Sequence, residues 1–263
     1  MDIVNDEFNE LEQKLTWNYS DSAELEDIPW GPHKIPVAIE LQGINLSIEK
    51  NKDGYLYNRK GAGEEIGKLL MTGKGNFLLN PVEPFHKPAA VSTHLLVELS
   101  KPVVIEPRSS KKIFATYPLE IVALISQKGN IACVVDTISM TKLKYTLYGG
   151  IKDGLVCRYW KSEFFIDIPA VNPLEMGILQ LELVNSTGRW IEVNKTVLSA
   201  HGMKIYYNTR LVSVSAEMKI SNDVTAETNF VDKPIKPGMT KAFEQFSTRL
   251  LGHQGKTVMG EGY

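Results

Sequence analysis

The sequence predicts an all-β protein of the antiparallel β-sandwich type, with short helices only near its ends. Apolar and polar residues alternate with a period of two in many segments of the 263-residue chain. Short turn signals separate these segments, and no helical pattern alternates with them, as a parallel α/β sheet would require. A chain of this length buries roughly three quarters of its unfolded surface, so it needs neither disulfides nor a metal ion to fold.

The first 30 residues form an acidic arm. They hold nine carboxylates and a single base, Lys14, whereas the rest of the chain has an excess of six bases over acids. Spacings of four, three and four residues place four apolar side chains on one face of a predicted amphipathic helix: Val4, Phe8, Leu11 and Leu15. We expect this helix to cover an open face of the body or to bind a partner chain. In the second case, changing Phe8 and Leu11 to Ser should abolish association.

Period-two alternation begins at Val37 and predicts half-buried strands. Residues 44–49 and 55–59 read as a hairpin around the turn 51–54, and 179–184 and 210–220 read as further strands. In 44–49, 179–184, 210–220 and 223–230, the residues expected to face the core are Ile44, Leu46, Ile48, Leu179, Leu181, Leu183, Val212, Val214, Ala216, Met218, Ile220, Val224, Ala226 and Phe230. In 210–220 the alternate residues, Leu211, Ser213, Ser215, Glu217 and Lys219, should face outward.

Residues 121–125 and 131–135 are continuously apolar and are joined by a short polar turn. Strands of this type are buried on both faces, so we expect a central hairpin covered by the terminal helices or by a second sheet. The two cysteines, Cys133 and Cys157, lie in apolar or aromatic runs and are expected to be reduced and largely buried.

Near the end, residues 239–251 suggest a helix that presents Phe243, Phe246 and Leu250, with Gly252 as its cap. The glycine-rich residues that follow are expected to be mobile. The proline-rich segment 80–90 suggests a junction between modules. We therefore expect an arm and linker (1–30), a first β module (31–90), a main sandwich (91–232), and a C-terminal helix with a flexible tail (233–263).

Motifs that carry chemistry are absent from the sequence. The glycines of 61–75 fit neither the dinucleotide-binding nor the Walker A pattern, and no GxSxG motif or closely spaced histidine pair occurs. We therefore favour a protein that is not an enzyme and has no cofactor and no metal ligands. A metal-dependent hydrolase assembled through tertiary contacts remains an alternative.

The segment 144–165 interleaves aromatic and basic residues around the turn "GGIKDG". Stacking aromatics beside cations are typical of sites for bases or sugars, which makes Tyr145, Tyr148, Arg158 and Trp160 candidate ligand-binding residues. The other interpretation is an ordinary hairpin, since strand neighbours such as Tyr159 and Trp160 point to opposite faces. Nucleic acid is disfavoured because the whole chain has a net charge of only −2.

Several stretches together resemble an uncharacterised archaeal protein family, catalogued only as a domain of unknown function. They are "NPVEP" (80–84), "LLVELSKPVVIEP" (95–107), "YPLEI" (117–121), "VDTISMTKLKYTLYG" (135–149) and "GLVCRYW" (154–160). The resemblance begins at about Asn80 and leaves out the arm and the C-terminal tail. It implies an archaeal, cytoplasmic protein and supplies no activity and no functional residues.

The sequence shows no signal peptide and no apolar run long enough to span a bilayer, so we expect a cytoplasmic protein. We interpret it as a non-enzymatic binding or assembly protein with a protein partner or a homo-oligomeric state. The alternative is a carbohydrate- or nucleotide-binding protein that uses the hairpin 144–165.

Overall fold

The computed structural model describes residues 27–61, 63–72, 75–87, 91–127, 130–244 and 256–263. Regular structure in these ranges is β-strand apart from one 3-10 turn, Ala200–Gly202. The strands are β1 (Gly31–His33), β2 (Val37–Leu41), β3 (Ile44–Asn51), β4 (Gly54–Gly61), β5 (Glu64–Leu70), β6 (Asn76–Val82), β7 (His94–Ile105), β8 (Ser109–Pro118), β9 (Glu120–Gln127), β10 (Asn130–Ile138), β11 (Tyr145–Tyr148), β12 (Leu155–Ser162), β13 (Phe164–Phe165), β14 (Met176–Asn185), β15 (Ile191–Ser199), β16 (Tyr206–Asn208), β17 (Leu211–Ile220), β18 (Ala226–Val231), β19 (Thr240–Lys241) and β20 (Thr257–Met259). The all-β class is confirmed. The arm with its predicted apolar stripe lies outside the described residues, as do residues 245–251 of the predicted C-terminal helix. The start of that predicted helix is wrong, because Thr240 and Lys241 form β19 and pair with β16.

The strands form four sheets. Sheet 1 has the order β2-β3-β4-β5, sheet 2 the order β1-β6-β9-β10, and sheet 3 the order β11-β12-β7-β15. Sheet 4 follows β13-β8-β14-β17-β16-β19, with β18 also on β17 and β20 on β18. Neighbouring strands are antiparallel except in the pairs β7–β12 and β14–β17. Because β6 pairs with β9, backbone hydrogen bonds join the chain on both sides of the proline-rich segment. The division into two modules stays a prediction.

Sheets 3 and 4 supply the two sides of a sandwich. The consecutive strands β7 and β8 belong to different sheets, as do β14 and β15, so the chain passes from one layer to the other at each connection. Side chains from both layers, including Val97 and Val193 from sheet 3 and Leu181 and Val214 from sheet 4, meet in one continuous apolar core. This architecture agrees with the predicted β-sandwich.

The predicted inward faces of β3, β14 and β17 are buried, but the outward face of β17 is buried in part as well. Leu211, Ser213 and Ser215 are all buried. The segment 232–239 crosses this face: the Ser215 hydroxyl donates to the carbonyl of Lys233 at 2.9 Å, and Met239 packs beside Leu211. The expectation that these residues face solvent is therefore wrong, because a later loop covers them.

The C-terminal end is an ordered strand in place of the predicted mobile tail. β20 pairs with β18, and Met259 is fully buried. Tyr263 is 8% exposed and its hydroxyl donates to the carbonyl of Asn222. Val224, expected on the apolar side of β18, precedes that strand and is 53% exposed.

Only one strand of the predicted central hairpin, β9, is central in its sheet. β9 is buried on both faces: Ile121 and Ala123 belong to the main core, whereas Val122 and Leu124 form a second cluster. β10, however, is the edge strand of sheet 2. Cys133 on β10 is consequently exposed, and of the two cysteines, both free, only Cys157 is buried as expected. Burial raises the pKa of the Cys157 thiol to about 11.

Candidate functional site

The aromatic and basic segment forms the hairpin of β11 and β12. Tyr145 pairs with Arg158, and Tyr148 pairs with Leu155. The turn between the strands needs glycine, because Gly149 has a φ of +95°, which side chains disfavour. β12 also pairs in parallel with β7, which leaves β11 at the edge of sheet 3.

The two candidate tyrosines occupy different environments. Tyr145 is 38% exposed. Tyr148 is 5% exposed, and its hydroxyl donates to the carbonyl of Gly262 at 2.9 Å and accepts from the amide of Glu261 at 3.0 Å. Burial raises the pKa of Tyr148. Tyr148 therefore holds the C-terminal segment against the hairpin.

Arg158 is buried and its guanidinium binds groups from three other parts of the chain. It is 2% exposed, donates to the Glu120 carboxylate at 2.8 Å, and also donates to the carbonyl of Pro84. A longer contact of 3.3 Å reaches the hydroxyl of Thr141. Burial raises the pKa of Glu120, and the ion pair with Arg158 opposes that rise. Arg158 thus fixes the loop 139–144 relative to β9 and β12.

That loop and β12 line an open pocket of about 370 Å³, which we call the lysine pocket. Its lining contains Lys142, Lys144, Lys161, Tyr159, Trp160 and Glu175, together with Met140 and Thr141. Trp160 is held in place because its indole N–H donates to the Thr116 hydroxyl at 3.0 Å, and the Tyr159 hydroxyl donates to Glu98 at 3.2 Å. Both aromatic side chains, which lie on opposite faces of β12, are therefore held by hydrogen bonds within the protein.

The three lysines of this pocket are exposed and unpaired. Among the described residues none of them takes part in an ion pair or a side-chain hydrogen bond, whereas Lys60, Lys87 and Lys111 each pair with a carboxylate. One carboxylate, Glu175, also lines the pocket. Cations that outnumber the carboxylates of a concave site create a positive potential that attracts anions.

A second cavity, of about 580 Å³, lies between the edge strands β5 and β10, and we call it the edge cleft. Its charges are paired within the protein. Arg59 is 1% exposed and donates to Asp136 at 2.5 Å and to Glu64 at 2.7 Å, and Lys87 also contacts Glu64 at 2.7 Å. Hydrogen bonds from Lys87 and Arg59 lower the pKa of Glu64 to about 2. Because these donors are already satisfied, the edge cleft offers a ligand less unpaired charge than the lysine pocket does.

Metal ligands were not expected, and the described part of the chain contains no group of three or more His, Cys, Asp or Glu residues placed to hold an ion. Within the same residues no helix is long and apolar enough to cross a membrane.

The structure brings one of the four predicted ligand residues, Trp160, to the lysine pocket and places Arg158 behind it. Sequence reasoning noted the lysines as a local excess of charge but did not assign them to a site. No sequence pattern pointed to Glu175 as a site residue, because it reaches the pocket from the loop before β14.

Comparison with known families places the chain in a group without assigned function. The family described as "Protein of unknown function (DUF432)" matches residues 29–260, and the chain belongs to it. The match extends the expected resemblance toward the N-terminus, to the start of sheet 2, and it includes β20. No curated protein and no solved structure matches the chain significantly.

Proposed function

We propose that the protein is a non-enzymatic binding protein whose lysine pocket takes a phosphorylated small molecule with a planar or apolar portion, such as a nucleotide. The convergence of three unpaired lysines on one cavity with aromatic walls carries the proposal. The expected cytoplasmic location, where such metabolites are abundant, is part of the proposal.

The charges favour an anion over a neutral sugar. Three ammonium groups and one carboxylate leave the pocket with a net charge of +2. Lysine is a compact charge that binds phosphate without demanding a fixed geometry. A hydrogen bond to a charged group contributes about 1.5–3 kcal/mol, so each lysine that contacts phosphate should change affinity about ten-fold or more.

The pocket walls favour a ligand that is larger than phosphate alone. Tyr159, Trp160 and Met140 give apolar surface beside the lysines. A ligand that covers this surface gains affinity from burial as well as from charge. Adenosine triphosphate should therefore bind more tightly than pyrophosphate, which presents the charge without the ring.

Isothermal titration calorimetry with pyrophosphate and with adenosine triphosphate tests the proposal. We expect both to bind and the double variant Lys144→Ala/Lys161→Ala to weaken binding about a hundred-fold, which is about ten-fold for each lysine. The matched control is Lys101→Ala/Lys152→Ala, which removes two exposed lysines outside the pocket and should leave affinity unchanged. No binding by the unmodified protein, or equal losses in both double variants, would overturn the proposal.

Fluorescence locates the ligand. A chain that retains only Trp160, with Trp17, Trp30 and Trp190 changed to Phe, should be quenched by acrylamide in the free state and protected when adenosine triphosphate is bound. Binding that leaves the quenching unchanged would place the nucleotide elsewhere.

A further inference from the structure

The free edges of the sheets differ in how well they are protected against pairing with another strand. Edge strands usually avoid such pairing by being short, bulged or covered, or by carrying charged side chains that repel another strand. The charges of β5 protect its edge only against a strand whose charges do not complement them. β1, β13, β19 and β20 have two or three residues and β11 has four. β10 contains two register shifts, and β15 contains one. β2 has five residues, which leaves β5 as the longest regular edge in the described part of the chain.

β5 is also unusually exposed. Its seven residues pair with β4 without a register shift. It has no buried residue, whereas every other described strand of four or more residues has at least one. The edge cleft of about 580 Å³ runs along one side of it. Nothing in the described residues satisfies the outer backbone groups of β5 with a further strand.

The charge pattern of β5 is complementary to itself. Glu64, Ile66 and Lys68 lie on one face, because they pair with Gly61, Arg59 and Tyr57 of β4. When two copies of the strand run antiparallel around a two-fold axis at Ile66, residue 64 of each copy faces residue 68 of the other. Paired residues then lie on the same face, as an antiparallel ladder requires. This register places Glu64 opposite Lys68 twice and Ile66 opposite itself.

We propose that β5 pairs with β5 of a second copy of this chain. The pairing joins sheet 1 of one copy to sheet 1 of the other in a single eight-stranded antiparallel sheet. An isologous contact of this kind closes after two subunits. Arg59 and Lys87 both bind Oε2 of Glu64, each at 2.7 Å. In the dimer, Lys68, which donates to the carbonyl of Val135 at 2.5 Å in the single chain, exchanges that acceptor for Oε1 of the Glu64 carboxylate of the second copy. A charged acceptor gives the stronger hydrogen bond.

The dimer is expected to dissociate on dilution. Two seven-residue strands bury less surface than the roughly 1,200–2,000 Å² of a stable protein–protein interface. Light scattering on the full chain should therefore show a mass that moves from monomer toward dimer as concentration rises. A monomer at every concentration up to the solubility limit would exclude the proposal.

Charge reversal identifies the strand and its register. Lys68→Glu places four carboxylates around the axis, and Glu64→Lys places four ammonium groups there, so each variant alone should be monomeric. A mixture of the two restores both Glu–Lys pairs and should form a heterodimer, which native mass spectrometry recognises by its mass. The rescue shows that loss of association in either variant is not caused by misfolding.

The control variant is Leu147→Glu, which puts a carboxylate on the exposed face of β11, the edge strand of sheet 3. It should leave association unchanged. Persistence of the dimer in Lys68→Glu, or a mixture that remains monomeric, contradicts pairing through β5. The inference is independent of the lysine pocket, so Lys68→Glu should bind adenosine triphosphate as the unmodified protein does.

Discussion

At the scale of single residues, Arg158 shows that a charged side chain predicted to bind a ligand can have a structural role when it is buried. The sequence places it in a basic and aromatic stretch, where it reads as a contact for a ligand. In the structure its guanidinium donates hydrogen bonds to the Glu120 carboxylate, the Pro84 carbonyl and the Thr141 hydroxyl. Its contribution to the lysine pocket is to position the loop that carries Lys142 and Lys144.

Removal of Arg158 should therefore damage stability first. Arg158→Met leaves Glu120 buried without its counter-ion, and loss of one partner of a buried ion pair costs about 3–5 kcal/mol. Arg189→Met is the matched control, because the ion pair of Arg189 with Asp223 is more than half exposed on both sides and should contribute less than about 1 kcal/mol. Urea unfolding measures both changes.

The double variant Arg158→Met/Glu120→Leu removes both charges and should recover most of the loss, since an apolar pair of similar size is tolerated in such positions. A double variant as unstable as Arg158→Met would show that the ion pair is not the cause.

The cost of Arg158→Met should also depend on pH. Burial raises the folded-state pKa of Glu120 above its unfolded value, and removal of the guanidinium raises it further. A carboxyl with a raised folded pKa gives stability that is present below the unfolded pKa and is lost as the pH rises through the folded pKa. The difference between Arg158→Met and the unmodified protein should therefore shrink as the pH falls toward about 4.5. A constant difference would contradict this.

The residue scale also marks a limit of sequence reasoning. Glu120 and Arg158 lie 38 positions apart, and spacing rules act only over a few residues. The neighbouring aromatic and basic residues predicted Trp160 as a ligand-binding residue. They could not predict Glu175, because the strand order that brings it to the pocket depends on the tertiary structure. Lys142, Lys144 and Lys161 were visible as charge, but the fact that they converge on one cavity was not.

At the scale of elements, period-two alternation predicted the inner faces of β3, β14 and β17 correctly. It failed where a later segment covers a face, as 232–239 covers Ser213 and Ser215 of β17. Small hydroxyl side chains alternate with valines there, so the pattern looks half exposed. The expectation of a mobile tail was also wrong. It rested on the glycine-rich residues around β20, although Met259 and Tyr263 are buried.

Adjacent residues of β20 provide a direct test of that strand. Met259 is fully buried and its sulfur accepts from the amide of Val197 at 3.4 Å, whereas Val258 is 67% exposed. Met259→Ala should destabilise the protein by about 2–5 kcal/mol because it opens a cavity in the core. Val258→Ala should change stability by no more than about 0.5 kcal/mol. Thermal unfolding of the two variants compares them, and equal melting temperatures would mean that β20 is not docked in solution.

At the scale of the whole molecule, the arm and β5 are competing routes to self-association. The predicted stripe of Val4, Phe8, Leu11 and Leu15 lies outside the described residues, and its role in binding a partner stays a prediction. If β5 forms the contact, Phe8→Ser/Leu11→Ser should leave the concentration-dependent dimer intact. Light scattering on this variant measures the outcome, and a loss of association in a folded body would transfer the contact to the arm.

The order of strands in sheet 3 has a consequence for synthesis of the chain. β7 lies between β12 and β15, and both of these follow it in the sequence by 50 residues or more. A ribosome adds roughly 5–20 residues per second, so an emerging β7 waits for seconds with Leu95, Val97 and Leu99 unprotected and both of its edges open. During translation this strand is therefore a segment to which molecular chaperones are expected to bind.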